Sequence, residues 1–359
     1  MSLNLWGWDE NWDQSFAPFA AQGLVPARVI RQDRGACEVQ TEEGGRAAEA
    51  TGRFRHALER GEVEVPVAGD WVAIDPRPTC DRAGIEGVLP RRTCLSRQGA
   101  GRVTREQVLA ANVDIVFLVC ALDGGRGFNL RRLERGLALV RGSGAEAVIV
   151  LNKADLCEDV DARLQEAGSV APEVPVVAVS AIRKEGLDGL SPWISGNRTA
   201  AMLGPSGVGK SALINALLGE ERQDTGSVRE SDSRGRHTTT RRELFRIPTG
   251  GLLVDTAGLR EFQPWGVGSE LDDIFPEIGE LAEQCRFRDC RHEGEPGCAV
   301  QQALGDGSLD FLRFDHYLRL KREQAYHEMR RDASAQQVEK ARWKKIAQWQ
   351  KEMYRHREK

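Results

Sequence analysis

The stretch Gly204-Pro205-Ser206-Gly207-Val208-Gly209-Lys210-Ser211 constrains this chain more than any other. It follows the apolar run Ala200-Ala201-Met202-Leu203 and leads into the helical pattern Ala212-Leu213-Ile214-Asn215-Ala216-Leu217-Leu218. Spaced glycines let the backbone turn tightly enough for successive N–H groups to surround a phosphate, and the following helix adds its dipole. A P-loop of this kind needs a strand behind it and a helix ahead, so part of the chain must be an α/β layer on a parallel sheet. Lys210 would reach the β- and γ-phosphates and Ser211 would hold Mg²⁺, with Gly204 to Gly209 and Ala212 completing the cradle. The loop does not say which base is read.

A chain of 359 residues is long for one core and implies two or three domains. A 40% hydrophobic and 29% charged composition describes a soluble globular protein, and the formal charge of -4 does not by itself point to a polyanionic partner. That total conceals an asymmetry. Tyr317 to Lys359 holds 13 Lys and Arg against 6 Asp and Glu, which is +7 and leaves about -11 for the remainder. No signal peptide is evident, and the longest apolar run, Ile115 to Leu122, is too short for a bilayer. Of eight cysteines, Cys285, Cys290 and Cys298 crowd together and the others scatter, as in a cytoplasmic protein with one metal site. A monomer without membrane contact is expected.

Met1 to Gln22 carries Trp6, Trp8, Trp12, Phe16 and Phe19 without a sustained period. It reads as a mobile or loosely docked extension, whose aromatics either bind a partner or dock on the next domain. From about Leu24 come short runs broken by glycine turns: Val25 to Ile30, Cys37 to Thr41, and Gly69-Asp70-Trp71-Val72-Ala73-Ile74. This predicts a small closed β-barrel of the OB type. Such barrels often offer a strand face to RNA, and Arg53-Phe54-Arg55-His56 has the residue types for it, although a solvated face would look the same. Arg91-Arg92 opens a linker through Gly99-Ala100-Gly101, so the barrel should end near Ser96.

Beyond the linker, Ile115 to Cys120 and Val148 to Leu151 read as buried strands, with Leu130, Leu133, Leu137 and Val140 at helical spacing between them. The second strand runs into Asn152-Lys153-Ala154-Asp155. A carboxylate at Asp155 can accept hydrogen bonds from N1–H and the 2-amino group of guanine, which adenine does not offer. Asn152 can meet the base edge, and the Lys153 stem can cover its face. Val174 to Val179 ends in Ser180-Ala181, where a backbone N–H could contact the guanine carbonyl. Asp155 alone would serve equally as a helix cap. Together these signals point to GTP and GDP.

After the P-loop helix, the polar stretch Thr225 to Arg242 contains His237-Thr238-Thr239-Thr240, and one of Thr238, Thr239 and Thr240 would complete the Mg²⁺ shell. Gly251 to Val254 delivers Asp255-Thr256-Ala257-Gly258, in which Asp255 would hold Mg²⁺ through water and the Gly258 N–H would sense the γ-phosphate. Ordinary G proteins run P-loop, threonine loop, Asp-X-X-Gly, Asn-Lys-X-Asp, Ser-Ala. Here the last two come first, so the domain is circularly permuted, a change that moves chain ends and can preserve the site.

Cys285, Cys290, His292 and Cys298 have the spacing C-x4-C-x-H-x5-C. Three thiolates and one imidazole complete a tetrahedral Zn²⁺ shell with no open position, so one structural zinc is expected. Arg286, Arg288, Arg291 and His316 add positive charge around it. From Leu309 the pattern is helical, with Phe311, Leu312, Phe314, Tyr317, Leu318 and Leu320 expected on one packed face. The stretch Lys340 to Lys359 mixes Trp343, Trp349 and Tyr354 with cations, as an RNA contact or a solvated helix would.

On these residues the chain resembles the bacterial ribosome small-subunit-dependent GTPase A family, circularly permuted GTPases that assist late maturation of the small ribosomal subunit. The resemblance runs from about Leu24 to Arg322. It rests on Asn152 to Asp155, Gly204 to Ser211, Gly235-Arg236-His237-Thr238-Thr239-Thr240, Asp255 to Gly258 and the cysteine cluster. It implies GTP hydrolysis stimulated by the small subunit, with rRNA as a partner. Leu259 follows Gly258 where Ras-like enzymes place a water-orienting glutamine. His237 is the candidate for that task, or else a structural histidine. Gly207 stands where some related permuted GTPases use Asn to hold potassium, which argues against that mode here.

The expected organisation is an N-terminal extension (1–23), an OB-fold RNA-binding barrel (24–96), a circularly permuted α/β P-loop GTPase domain (97–264), a zinc-binding helical domain (265–322) and a basic helical tail (323–359). The alternatives are a GTPase acting on another structured RNA, or an RNA-binding protein with a vestigial nucleotide site. A P-loop kinase or ATPase with an accessory zinc ribbon is disfavoured by Asn152 to Asp155.

Overall fold

The computed structural model describes residues 2–33, 36–76, 82–98, 106–125, 127–221, 242–255, 274–323, 325 and 329. Two units emerge, Met1–Ser96 with Val108–Gln263, and Arg97–Gln107 with Pro264–Lys359. The first begins with a 3-10 turn, Leu3–Trp6, and helix α1, Glu10–Ala20. Asp9 starts α1 by accepting the Trp12 N–H at 3.0 Å, and the i, i+4 spacing puts Trp12 and Phe16 on one buried face. Trp8 stands edge-on to Trp71, with centroids 4.7 Å apart, and to Phe16 at 5.8 Å. Arg92 lies 4.0 Å over Trp12 and bonds both Asp9 oxygens at 2.6 Å. The expectation of a mobile or loosely docked extension is thus corrected: these aromatics are consumed within the unit. Nor does Arg91 open a linker, since its guanidinium bonds both oxygens of the buried Asp70 at 2.8 Å.

Strands β1 (Val25–Asp33), β2 (Ala36–Thr41), β3 (Gly44–Ala50), β4 (Trp71–Asp75) and β5 (Ala83–Val88) close into a barrel in the order β1-β2-β3-β5-β4-β1. Closure depends on the length of β1. Its first half pairs with β4, from Val25↔Ile74 to Arg28↔Trp71, and its second with β2, from Arg28↔Gln40 to Asp33↔Ala36. Val29, Val39, Ala48, Val72, Ile74 and Ile85 fill the interior. Helix α2, Gly52–Arg60, joins β3 towards β4 and drops Phe54 into that core, where it is 3% exposed. Arg53 to His56 is therefore not a strand face, and Phe54 cannot stack on a base. Arg53, Arg55 and His56 remain exposed on α2.

Strands β6 (Cys94–Gln98) and β7 (Glu106–Ala111) pair separately. The GTPase sheet then runs β8 (Ile115–Ala121), β9 (Glu146–Asn152), β10 (Val176–Ala178), β11 (Thr199–Leu203), β12 (Arg242–Arg246) and β13 (Leu252–Asp255), in spatial order β10-β9-β8-β11-β13-β12. All pairings are parallel except β12 with β13. Every residue of β8 is buried, because apolar clusters cover both faces: Val116 and Leu118 meet the side of α3 (Leu130–Ser143), and Ile115 and Phe117 the opposite side. Helices α4 (Val160–Gly168), α5 (Ser191–Ile194) and α6 (Lys210–Leu218) complete this layer. The chain leaves β8 for β9 and β10, then returns to β11 on the other side of β8. That switch in direction opens a crevice at the carboxyl ends of β8 and β11. One continuous sheet joins this layer to the barrel, through Arg31↔Glu243 and Gln32↔Arg242 between β1 and β12.

In the second unit, α7 (Pro276–Glu283), α8 (Ala299–Asp306) and a helix over 311–323 pack around Phe275, Ile278, Val300, Phe314, Tyr317 and Leu320. Phe314, Tyr317 and Leu320 recur every three residues and are buried as expected, but Phe311 and Leu312 are exposed. His316 is buried beside the Phe275 ring, centroids 6.1 Å apart, and so adds no surface charge. Among the described residues no helix is long and apolar enough to cross a membrane.

Candidate nucleotide site and metal centre

The P-loop leaves β11 at Leu203 and enters α6 at Lys210. Two of its glycines are required sterically. A Cβ on Gly204 would stand 2.4 Å from the Val119 carbonyl of β8, and one on Gly209, whose φ is +90°, would stand 2.4 Å from the Asn152 amide nitrogen. The Lys210 ammonium donates to the carbonyls of Gly204 at 2.6 Å and Pro205 at 2.9 Å, curling back over the loop it serves. Ser206 and Gly207 are exposed at the tip, Val208 is buried, and Ser211 and Ala212 are half-buried in the first turn of α6.

The Asn152 carboxamide, only 1% exposed, donates to the Val208 carbonyl at 2.8 Å and accepts the Ala181 N–H at 3.1 Å. One side chain thus clamps the P-loop to the Ser180-Ala181 turn. Ser180 is also buried and exchanges backbone hydrogen bonds with Glu185. Lys153 has a left-handed backbone, φ +63°, and its ammonium donates to Asp123 at 2.6 Å. That pairing holds the Asp123 carboxyl below the ordinary carboxylate range. Asp155 lies in the 3-10 turn Ala154–Leu156, with the Arg183 guanidinium 4.0 Å away. Asp255 closes β13, in register with Glu243. His237, Thr238, Thr239, Thr240 and Gly258 lie outside the described residues.

The metal cluster belongs to the second unit. Cys285, Cys290, His292 and Cys298 bring their donor atoms within 4.8 Å of one another. Cys285 and Cys298 sulfurs are 3.8 Å apart, and His292 Nδ1 is 3.7 Å from the first and 3.4 Å from the second. A tetrahedron with metal–sulfur bonds of about 2.3 Å has edges of about 3.8 Å, so the set fits a metal ion of that size. His292 reaches the cluster through a left-handed backbone, φ +63°, while Gln301 holds its carbonyl. Cys298 caps α8 and accepts the Gln301 N–H at 3.4 Å. Burial and the Lys321 charge lower the His292 pKa and keep the imidazole in the neutral form that metals bind.

A description of the RsgA GTPase matches residues 88–265. A small ribosomal subunit biogenesis GTPase RsgA of Opitutus terrae is 47% identical over 98% of this chain and 97% of its own length. The chain belongs to the RsgA GTPase family. The Streptomyces coelicolor protein of the same name is 44% identical over 93% of this chain and 90% of its own. Among solved structures, YjeQ from Thermotoga maritima matches with a TM-score of 0.62 and 28% identity over 84% of this chain and 99% of that one. YloQ, described as a circularly permuted GTPase, gives 0.57 and 25% over 84% and 95%. The activity is GTP hydrolysis, and the nucleotide-reading segments of this chain run in permuted order. Two features of this RsgA chain escaped sequence reading. The clamp made by Asn152 joins residues that no spacing rule connects, and Asp123 sits in an ordinary Asp-Gly-Gly turn, 30 residues before the lysine it holds.

Proposed function

We propose that this GTPase binds the small ribosomal subunit and its rRNA and acts in the subunit's late maturation, hydrolysing GTP to GDP and phosphate when the subunit stimulates it. The observation that supports the GTPase part of this reading is the Asn152 clamp. It joins the phosphate-binding loop and the guanine-facing turn into one site at the crevice of a parallel sheet. The names of the relatives support the subunit as partner.

Asp155 reads the N1–H and 2-amino edge of guanine, the Ser180-Ala181 backbone meets its carbonyl, and Lys153 covers its face. Lys210 and the N–H groups from Gly204 to Ala212 hold the phosphates. Ser211, Asp255 and one of Thr238, Thr239 and Thr240 are oxygen donors suited to Mg²⁺, which neutralises charge between the β- and γ-phosphates when bound. The Gly258 N–H meets the γ-phosphate, and His237 orients the attacking water that Leu259 cannot. Cys285, Cys290, His292 and Cys298 hold one structural Zn²⁺. Exposed Arg286, which lies over the Phe287 ring, with exposed Arg288 and Arg291 then forms a cationic surface for RNA. The domain limits 24–96, 97–264 and 265–322, with a monomeric chain in the cytoplasm, complete the proposal.

The test is GTP hydrolysis by the purified protein alone and with small subunits, large subunits or tRNA, against an ATP control. Turnover alone is expected near the unassisted range of about 10⁻⁴ to 10⁻³ per second. Large stimulation by small subunits only is the expected result. Equal, slow rates in every mixture would overturn the assignment of partner. His237→Ala should keep GTP affinity and lose stimulated hydrolysis.

A further inference from the structure

The Lys153–Asp123 pair has a geometry that its neighbours impose. Ala121 of β8 is in parallel register with Asn152 of β9, and the Leu122 N–H donates to the Asn152 carbonyl at 2.9 Å. The two chains therefore leave the sheet side by side, one into Asp123 and the other into Lys153. One Asp123 oxygen accepts the Gly125 N–H at 3.1 Å, so its own turn aims the carboxylate, and the other takes the Lys153 ammonium at 2.6 Å. Both side chains are about three-quarters covered, with 24% and 28% exposure, which limits screening by salt. Between its two ends the lysine passes the P-loop: Lys153 Cε lies 4.0 Å from where a side chain on Gly209 would begin.

We propose that Asp123 is a positioning residue of the guanine site, anchoring the Lys153 ammonium so that the lysine stem stays stretched beside the Gly209 turn as a wall for the base. A lysine stem loses considerable rotamer freedom when it is fixed, and anchoring its far end before the nucleotide arrives removes that cost from binding. Asp123 touches no part of the nucleotide in this scheme and acts through Lys153. The inference rests on the reading that Lys153 covers the base.

The experiment measures dissociation constants of GDP and of IDP, which lacks the 2-amino group, for the full-length protein and for Asp123→Ala, Lys153→Met, Lys153→Ala and the Asp123→Ala/Lys153→Met double variant. Asp123→Ala should weaken both nucleotides equally, by about three- to fivefold, the scale of a partly covered ion pair, with an unchanged melting temperature. Lys153→Met, which keeps the stem and loses the anchor, should match it, and the double variant should be no worse. Lys153→Ala should be weaker still. Asp123→Asn keeps an acceptor for Gly125 and should show the same loss, which guards against a variant that misfolds. Wild-type affinity in Asp123→Ala, or an equal further loss in the Lys153→Met background, overturns the proposal while leaving the lysine reading in place. Wild-type affinity in Lys153→Ala overturns both.

Discussion

The barrel end of the first unit and the metal-centred second unit solve the same problem in different ways. The barrel closes its sheet on itself, fills it with aliphatic side chains and Phe54, and covers one side with Trp8 and Trp12 against Trp71, with Phe16 edge-on to Trp8. Among the described residues the second unit has two helices of eight residues, with apolar packing that includes the Phe275 and Tyr317 rings. Helices of eight residues do not hold themselves without packing partners or a cross-link. The Cys₃His cluster gathers Cys285 after α7 and Cys298 at the start of α8 around one point, and with the proposed zinc bound it would tie the two helices together. One region is held by many weak contacts and the other, on the zinc proposal, by one strong centre, so they should fail differently.

The largest effect should come from breaking that centre. Cys298→Ser, or prolonged chelation, is expected to expose 274–323 to protease, since structural zinc contributes on the order of 10 kcal/mol or more to small domains. GDP affinity in the first unit should persist. Unchanged protease resistance after verified metal loss would mean that the metal does not hold this unit together.

A smaller loss should follow Arg91→Ala in the first unit. It strands the Asp70 carboxylate, which is 0% exposed, and should cost about 3–5 kcal/mol in urea unfolding near neutral pH. Burial already raises the Asp70 pKa above 3.8, opposed by Arg91, so without Arg91 burial acts with less opposition. A buried acid with a raised folded pKa binds its proton more tightly when folded. The penalty should therefore be full at pH values above the raised pKa and shrink as the pH falls through it. A pH-independent penalty would mean that Asp70 is not the group left unpaired.

The smallest effect belongs to the docked extension. Arg92→Ala removes the partly exposed pair to Asp9 and the guanidinium that lies over the buried Trp12 ring, for about 1 kcal/mol and a change in tryptophan fluorescence. The Arg92 hydrogen bond lowers the Asp9 pKa below 3.8, so this contribution is present above that value and is lost as the pH falls through the folded-state pKa. The difference between wild type and variant should therefore close in acid. A difference that stays constant would assign the effect to ring stacking alone.

Much of the site was legible because its chemistry is local. The P-loop, Asn152 to Asp155, Ser180-Ala181 and Asp255 each lie where a strand ends, and strand ends can be read from short apolar runs. The metal set was legible for a similar reason, since all four donors fall within one short stretch. What misled the sequence reading was assignment by neighbourhood. Arg53 to His56 sits among strands in the sequence, yet it forms a helix because Thr51 caps Phe54 and Gly61 ends the turn. Arg91 and Arg92 precede a glycine-rich stretch and look like linker, yet both are fixed by acids, Asp70 and Asp9, that lie 21 and 83 residues away.

The sequence by itself determined that this chain reads guanine, cradles phosphates, runs its GTPase segments in permuted order and carries one Cys₃His cluster. Each of those facts is a residue type at a fixed spacing, imposed by what a ligand requires. Only the tertiary structure decided that Trp8 and Trp12 cover Trp71, that Asn152 clamps two loops, and that Asp123 holds Lys153. Those contacts join side chains far apart in the chain, and their energies depend on burial and direction, which exist only once the sheet has brought the strand ends together.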